Sequence, residues 1–432
     1  MATSRETALD LLDFLDASPS PYHAAAEAER RLVAAGCTAL PLVGPWPGGP
    51  GAYVVRDGGS IVAWVVPDSA APSAPLRLVG AHTDSPTLRI KPRPDTGRVG
   101  VRQLGVEAYG GPLLNSWLNR DLGIAGRVVV RTPTGPEVRL VHVDRPVLTV
   151  PQLAIHLHRE LATEGLKVNA QQHLAPIWSL GAPVLGGFGR LLAAELSVDE
   201  ADVLGHDIVT YDLTGAVLSG VDEEFVSSGR LDNLCCSHSG VSALTAEIAE
   251  PIGEHVRALV LFDHEETGSR TATGAGGAWL ARQLERSVLA RGGDREDFLR
   301  AIAGSVHASA DMTHATHPAY ADRHEPEHHI ELNGGPAVKV SANMLYGTDA
   351  GTYAELRLAA EQAGVPLQHF VNRSDVRSGS SIGPIVAAGL GIPTVDLGNP
   401  MLSMHGAREL CGAQDPAMLV ALLRAFLSPA SR

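Results

Sequence analysis

Apolar runs along this chain are short, and Gly, Pro, Asp and Ser bound them. Residues 5–16 repeat with helical spacing. Ser20-Pro21 then supplies an N-cap and a first-turn proline for a second helix, which runs through Ala-rich sequence to a stop at Gly36. A Gly/Pro-rich loop fills residues 45–51. Alternation over residues 53–66, broken at Asp57-Gly58-Gly59, predicts a hairpin. A short buried strand over residues 76–80 delivers His82 and Asp84 at its end.

The period changes after Pro92. Alternating runs at 127–131 and 138–144 flank a turn at 132–136, and residues 152–163 predict a helix carrying His156 and His158. From Ser237 onward strands and helices alternate: a helix over 242–250, a strand over 256–262, a helix over 278–290 and a strand over 306–310 that delivers Asp311. A helix over 350–363 stops at Gly364, a strand over 392–397 precedes His405 in a loop, and the last helix covers 416–426. Such alternation predicts an α/β fold, a mostly parallel central sheet with helices on both faces. Residues 93–222 read as a β-rich domain inserted into a discontinuous catalytic domain, 1–92 and 223–432. Two domains in series would strand His82 from the later acids.

Composition narrows the function. A chain of 432 residues, 44% hydrophobic, fits two domains with sizeable cores. The net charge of −14 argues against nucleic acid or anionic membranes as partners. No apolar run approaches the ~18 residues of a membrane span, and residues 1–16 lack a basic-then-apolar signal pattern, so the expected location is the cytoplasm. Cys37, Cys235, Cys236 and Cys411 form no C-x-x-C pair and read as buried free thiols. Lys91, Lys167 and Lys339 are the only lysines of an arginine-rich chain.

The chemistry centres on Phe262-Asp263-His264-Glu265-Glu266-Thr267-Gly268-Ser269, where a buried strand ends in adjacent carboxylates. Neighbours on an extended chain point to opposite sides, so one carboxylate can ligate a metal while the other faces a water. His82 with Asp84, Glu265 with Glu266, Asp311 and His405 all lie just past strand ends, where open α/β sheets carry their sites. Residues 227–233 add Asp232. Imidazoles and carboxylates without cysteine suit zinc, manganese or cobalt. The count fits two ions, each with one His and one carboxylate, plus a bridging carboxylate; Glu265 is left free as a base. Asp84 is placed to accept the second imidazole N–H of His82. Each segment alone has a plainer reading: a lone His after a strand is usually structural, and Asp232-Asn233 suits a helix cap.

These segments resemble the aspartyl aminopeptidases, a family of two-zinc exopeptidases. The resemblance spans nearly the whole chain. It includes Ala17-Ser18-Pro19-Ser20-Pro21-Tyr22-His23-Ala24, Gly80-Ala81-His82-Thr83-Asp84-Ser85-Pro86, Trp117-Leu118-Asn119-Arg120-Asp121-Leu122 and Leu153-Ala154-Ile155-His156-Leu157. Gly229-Arg230-Leu231-Asp232-Asn233, the Asp263 to Ser269 segment, Ser309-Ala310-Asp311-Met312, Ser380-Ser381-Ile382-Gly383-Pro384 and Ser403-Met404-His405-Gly406-Ala407-Arg408-Glu409 complete it. It implies two divalent ions per subunit, Zn2+ with Co2+ or Mn2+ as substitutes. Asp232 would bridge, His82 and Asp311 would complete one ion, and Glu266 and His405 the other. Glu265 would be the general base, Asp84 would orient His82, and His156 would reach a neighbouring subunit's site in a tetrahedral dodecamer of this chain. The substrates would be peptides with N-terminal Asp or Glu. Lys339 matches the family lysine that meets an acidic side chain, and Tyr346 stands beside it as a substrate residue. Asn343-Met344-Leu345-Tyr346-Gly347 departs from the family's polar and basic stretch before a Tyr-Ala, which opens a broader or neutral preference. His314, His317, His324, His328 and His329 read as a mobile wall of the substrate chamber rather than a metal tract. A two-metal deacylase or carboxypeptidase could use a similar ligand set, and a non-catalytic assembly protein could keep the metals for structure.

Overall fold

The computed structural model describes residues 3–249, 253–376 and 379–430. Its central sheet has nine strands. In spatial order they are Thr38–Ala39, Gly51–Asp57, Ser60–Val66, Val256–Phe262, Leu76–His82, Val306–Ala310, Thr394–Gly398, Ala337–Val340 and Gln368–Val371. The inner strands Val256–Phe262, Leu76–His82, Val306–Ala310 and Thr394–Gly398 run parallel to one another, while the hairpin strand Ser60–Val66 and the strand Ala337–Val340 join them antiparallel. The sheet is thus mixed around a parallel centre.

Both faces are buried, and the period of two decides which residue goes where. On Val256–Phe262, Leu259 and Leu261 pack with the helices Ser4–Asp16, Pro21–Ala34, Leu231–Ala246 and Asp415–Leu427. Val256, Ala258, Val260 and Phe262 face the other way, toward Trp279–Ala290, Arg295–Ala303 and Ile382–Leu390. A strand buried on both sides reads as a near-continuous apolar run, here interrupted only by Arg257, which pairs with Glu247 at 3.3 Å.

A second, six-stranded sheet is built from residues between Thr87 and Asp212: Gly135–Leu148, Leu122–Thr132, Val203–Asp212, Thr87–Arg98, Val101–Tyr109 and Ile177–Leu180. Its own core includes Leu88, Ile124, Val128, Phe188 and Leu192. A third sheet, Val217–Ser219, Phe225–Ser228, Glu409–Gly412, Pro400–Leu402 and Thr313–His314, carries the loop with His405 between two of its strands.

Several elements differ from the sequence expectation, among them the helices Arg295–Ala303 and Ile382–Leu390, which it lacks. The helix expected over 242–250 is Leu231–Ala246, and Glu250 lies outside the described residues. Its first turns are polar yet buried: Asn233, Ser237, His238 and Ser239 are all fully covered. Small residues permit this, because a Cβ on Gly240 would stand 2.7 Å from Leu259 of the sheet. The expected 152–163 helix is only a 3-10 turn, Ile155–Leu157, and one α-turn, Leu161–Glu164. Leu153, Ile155 and Leu157 are exposed, and without a surface to cover its apolar side so short a helix has little to hold it. The helix Gly187–Leu196 was hidden by its glycines.

Candidate active site

Five segments with candidate ligands, those of His82, Glu265-Glu266, Asp311, Asp232 and His405, meet near one end of the parallel strands. Leu76–His82 ends on His82, which pairs in register with Phe262, so the Glu265-Glu266 turn follows directly beside it. Asp311 follows Val306–Ala310, and the start of the Leu231–Ala246 helix brings in Asp232. Three of the turns hold non-glycine residues in the left-handed region: Arg230 at φ 61°, His264 at φ 67° and His405 at φ 66°. Such strain persists where packing over-determines a site.

The side chains converge on one centre. His82 Nε2 lies 3.5 Å from Asp232 Oδ1 and 3.4 Å from Asp311 Oδ1. His405 Nε2 lies 3.6 Å from Asp232 Oδ2 and 3.4 Å from Glu266 Oε2. The two oxygens of Asp232 therefore face different histidines. These separations exceed normal hydrogen bonds. They match the edge of a ligand tetrahedron about 2.0–2.1 Å from its centre, roughly 3.3–3.4 Å. Ligand atoms of His82, Asp232 and Glu266 all lie within 4.8 Å of one another. Asp232 Oδ1 and Glu266 Oε1 are buried with no hydrogen-bond donor. Orphaned carboxylate oxygens of this kind fit a divalent cation.

The histidine tautomers agree. The closest partner of His82 Nδ1 is the backbone carbonyl of Asp84, at 3.0 Å. His405 Nδ1 meets the carbonyl of Gly111 at 3.2 Å. Carbonyls only accept, so each Nδ1 carries the proton and each Nε2 presents its lone pair to the centre. Burial disfavours charge on both imidazoles, but the carboxylates around them outweigh it, raising His82 well above its ordinary range and His405 above its own, a demand for positive charge that a cation meets instead of a proton. Burial and then the surrounding carboxylates raise Glu265 to about 8, with His82 opposing, and push Glu266 well above its ordinary range. Burial also works to raise Asp232, but His405 and His82 outweigh it and hold that carboxyl below its usual range. A bound dication reverses the repulsion among these acids.

Asp84 has a wider role than its spacing suggested. Its carboxylate stands 3.4 Å from His82 Nδ1. It also accepts the backbone N–H of Glu265 at 3.0 Å, that of Glu266 at 3.1 Å and the Tyr109 hydroxyl at 2.7 Å. The residue thus ties the end of one strand to the turn after the next.

A cavity of about 270 Å3 opens over the centre, and Lys339, Tyr346, Phe370 and Met404 line it together with the candidate ligands. Lys339 is 3% exposed; its ammonium donates to Asp311 Oδ2 at 3.1 Å and sits 5.5 Å from the Tyr346 ring centre. His314 lines this cavity and also an adjoining one of about 150 Å3 that His324 and His328 share; His317 and His329 line neither. His156 is exposed on its 3-10 turn and lies outside the cavity. Glu409, Phe370 and Met404 were not singled out from the sequence. Met404 and Glu409 do stand in the Ser403 to Glu409 segment around His405, whereas Phe370 lies outside every quoted segment.

The family model described as Aminopeptidase I zinc metalloprotease (M18) matches residues 14–427. Among curated relatives, the chain is 50% identical over 422 residues to a probable M18 family aminopeptidase 2 of Streptomyces coelicolor, covering 97% of each chain. Among solved structures it resembles a chain of the Ape4 and Nbr1 complex, at TM-score 0.94 and 36% identity, covering 98% of this chain and 86% of that one. It also resembles the S. cerevesiae mApe1 dodecamer, at TM-score 0.84 and 24% identity over 98% of this chain and 97% of that one, a likeness of fold.

Proposed function

The chain belongs to the M18 family of zinc aminopeptidases, and we propose that it is a two-ion enzyme that removes N-terminal residues, acidic ones preferred, from peptides. The observation that carries the reading is the split of Asp232, with Oδ1 toward His82, which also stands beside Asp311, and Oδ2 toward His405, which also stands beside Glu266. His82, Asp311 and Asp232 would hold one ion; His405, Glu266 and Asp232 would hold the other. When bound, zinc supplies Lewis acidity toward a carbonyl and lowers the pKa of water.

The chain's own groups do the rest. Glu265 faces the same cavity without a place in the ligand set. It takes the proton of the attacking water and returns it to the leaving amine. Asp84 keeps Glu265 and Glu266 in register through their N–H groups. His156, from a neighbouring subunit, donates to the developing oxyanion. Its exposure beside Leu153, Ile155 and Leu157 supports a segment made to meet another copy, as does the dodecameric state of the yeast relative. Residues 93–222 would mediate that assembly. All four cysteines are buried free thiols, which supports a reducing, cytoplasmic setting. No described helix is long and apolar enough to cross a membrane.

Acidic preference rests on Lys339. An ammonium carries three donors, and Asp311 takes one of them, so the others are available to a substrate carboxylate. Lys339→Met is expected to cut kcat/KM on aspartyl substrates about 10–100-fold more than on leucyl ones, the worth of a charge-assisted hydrogen bond. Equal losses would leave Lys339 acting only through Asp311. The aromatic and thioether wall of Tyr346, Phe370 and Met404 favours a second reading, a neutral side chain in the same pocket. Release of aspartate, glutamate and leucine from matched substrates separates the two: leucine released fastest would discard the acidic preference and keep the chemistry.

A further inference from the structure

Two of the ligand segments are held by a group outside the ligand set. Glu409 begins the strand Glu409–Gly412, and its side chain is buried at 3% exposure. Its Oε1 accepts the N–H of His405 at 2.8 Å, and its Oε2 accepts the N–H of Asp232 at 3.2 Å. Each donor needs an outside acceptor. Asp232 lies in the first turn of its helix, where N–H groups have no intrahelical partner. His405 sits in a left-handed turn after the strand Pro400–Leu402. Pairing of Glu409 with Ser228, across the strand that leads into Asp232, sets the carboxylate between the two segments.

We infer that Glu409 is a positioning residue of the metal centre, fixing the backbones of Asp232 and His405 relative to each other so that Asp232 Oδ2 and His405 Nε2 stay within ligating reach of one ion. The inference rests on the two-ion reading. It parallels the way Asp84 holds Glu265 and Glu266, so two buried carboxylates outside the ligand set each fix a pair of site residues. A carboxyl group suits the task because each of its two oxygens can accept a backbone N–H. An amide of the same shape would turn an N–H2 toward one of the backbone N–H groups and release that segment.

The test is titration of metal-free protein with zinc against a competing chelator, with no turnover involved. Glu409→Gln is expected to bind the ion shared by Asp232 and His405 about 10–100-fold more weakly, the usual cost of losing an outer hydrogen-bond partner. Its kcat should recover as zinc is raised. Glu409→Asp is too short to span both N–H groups and should weaken binding in the same direction, which covers a Gln variant that folds poorly. Asp415→Asn is the matched control. Asp415 also accepts two backbone N–H groups, from Asn333 at 2.8 Å and Gly335 at 3.0 Å, but touches no ligand. It should lower Tm and leave zinc affinity alone. Unchanged affinity in both Glu409 variants, with Tm lowered as in the control, would overturn the inference. A wild type that binds a single ion would defeat the two-ion reading instead, and Glu409 would then be judged by its effect on that ion.

Discussion

Glu265→Gln is expected to keep its metal ions and to lose turnover by about 10²–10⁴-fold, the range that general acid–base catalysis contributes. The side chain lines the cavity beside His82, Asp232 and Asp311 and has no place in either of the proposed ligand sets. Its backbone N–H is fixed by Asp84 at 3.0 Å, so the residue has a defined place without a ligand's task. Burial, with the neighbouring carboxylates and against His82, raises its pKa to about 8. An amide has nearly the same size and cannot take up a proton near neutrality, so the loss should fall on kcat with KM little changed. Metal content and kcat measured on the same preparation decide it. Near-normal kcat with full metal would remove Glu265 from the proton-transfer role.

The second large effect is expected at Asp232. Asp232→Asn should abolish measurable activity and weaken both ions together, whereas His405→Ala should weaken only one. The reason is the division of the carboxylate, Oδ1 at 3.5 Å from His82 Nε2 and Oδ2 at 3.6 Å from His405 Nε2. An amide keeps one oxygen and turns a donor toward the other histidine, whose Nε2 lone pair is already committed to the centre. Metal stoichiometry after dialysis separates the cases. Two tightly held equivalents in Asp232→Asn would show that Asp232 does not bridge. Asp232 is 4% exposed, so Tm should be read alongside to exclude unfolding as the cause.

Much of this site is visible in the sequence because strand ends announce themselves. The run from Val256 to Phe262 is apolar at every position but Arg257, which is met by Glu247 at 3.3 Å, because both faces of the strand are buried. It therefore points directly at Glu265 and Glu266. His82 and Asp311 follow from the same logic on neighbouring strands. The Leu231–Ala246 helix was illegible over its first turns because its contacts require small polar residues rather than a periodic apolar stripe. Residues 152–163 misled for the opposite reason: an apolar pattern was present, but Leu153, Ile155 and Leu157 find no surface within one subunit. The bond from Glu409 to the Asp232 N–H joins positions 177 residues apart, and the tie from Lys339 to Asp311 joins positions 28 apart. No local pattern encodes such pairings; they exist only once the sheets have formed.

The most direct measurement uses enzyme stripped of metal and then reloaded with zinc. Each form is given an aminoacyl substrate with a free α-amine and its N-acetylated twin. The prediction is silence in the stripped form, recovery on zinc, and cleavage of the free amine alone. Cleavage of the acetylated twin at a comparable rate, or full activity without metal, would contradict a metal-dependent aminopeptidase built on Asp232 and Glu265.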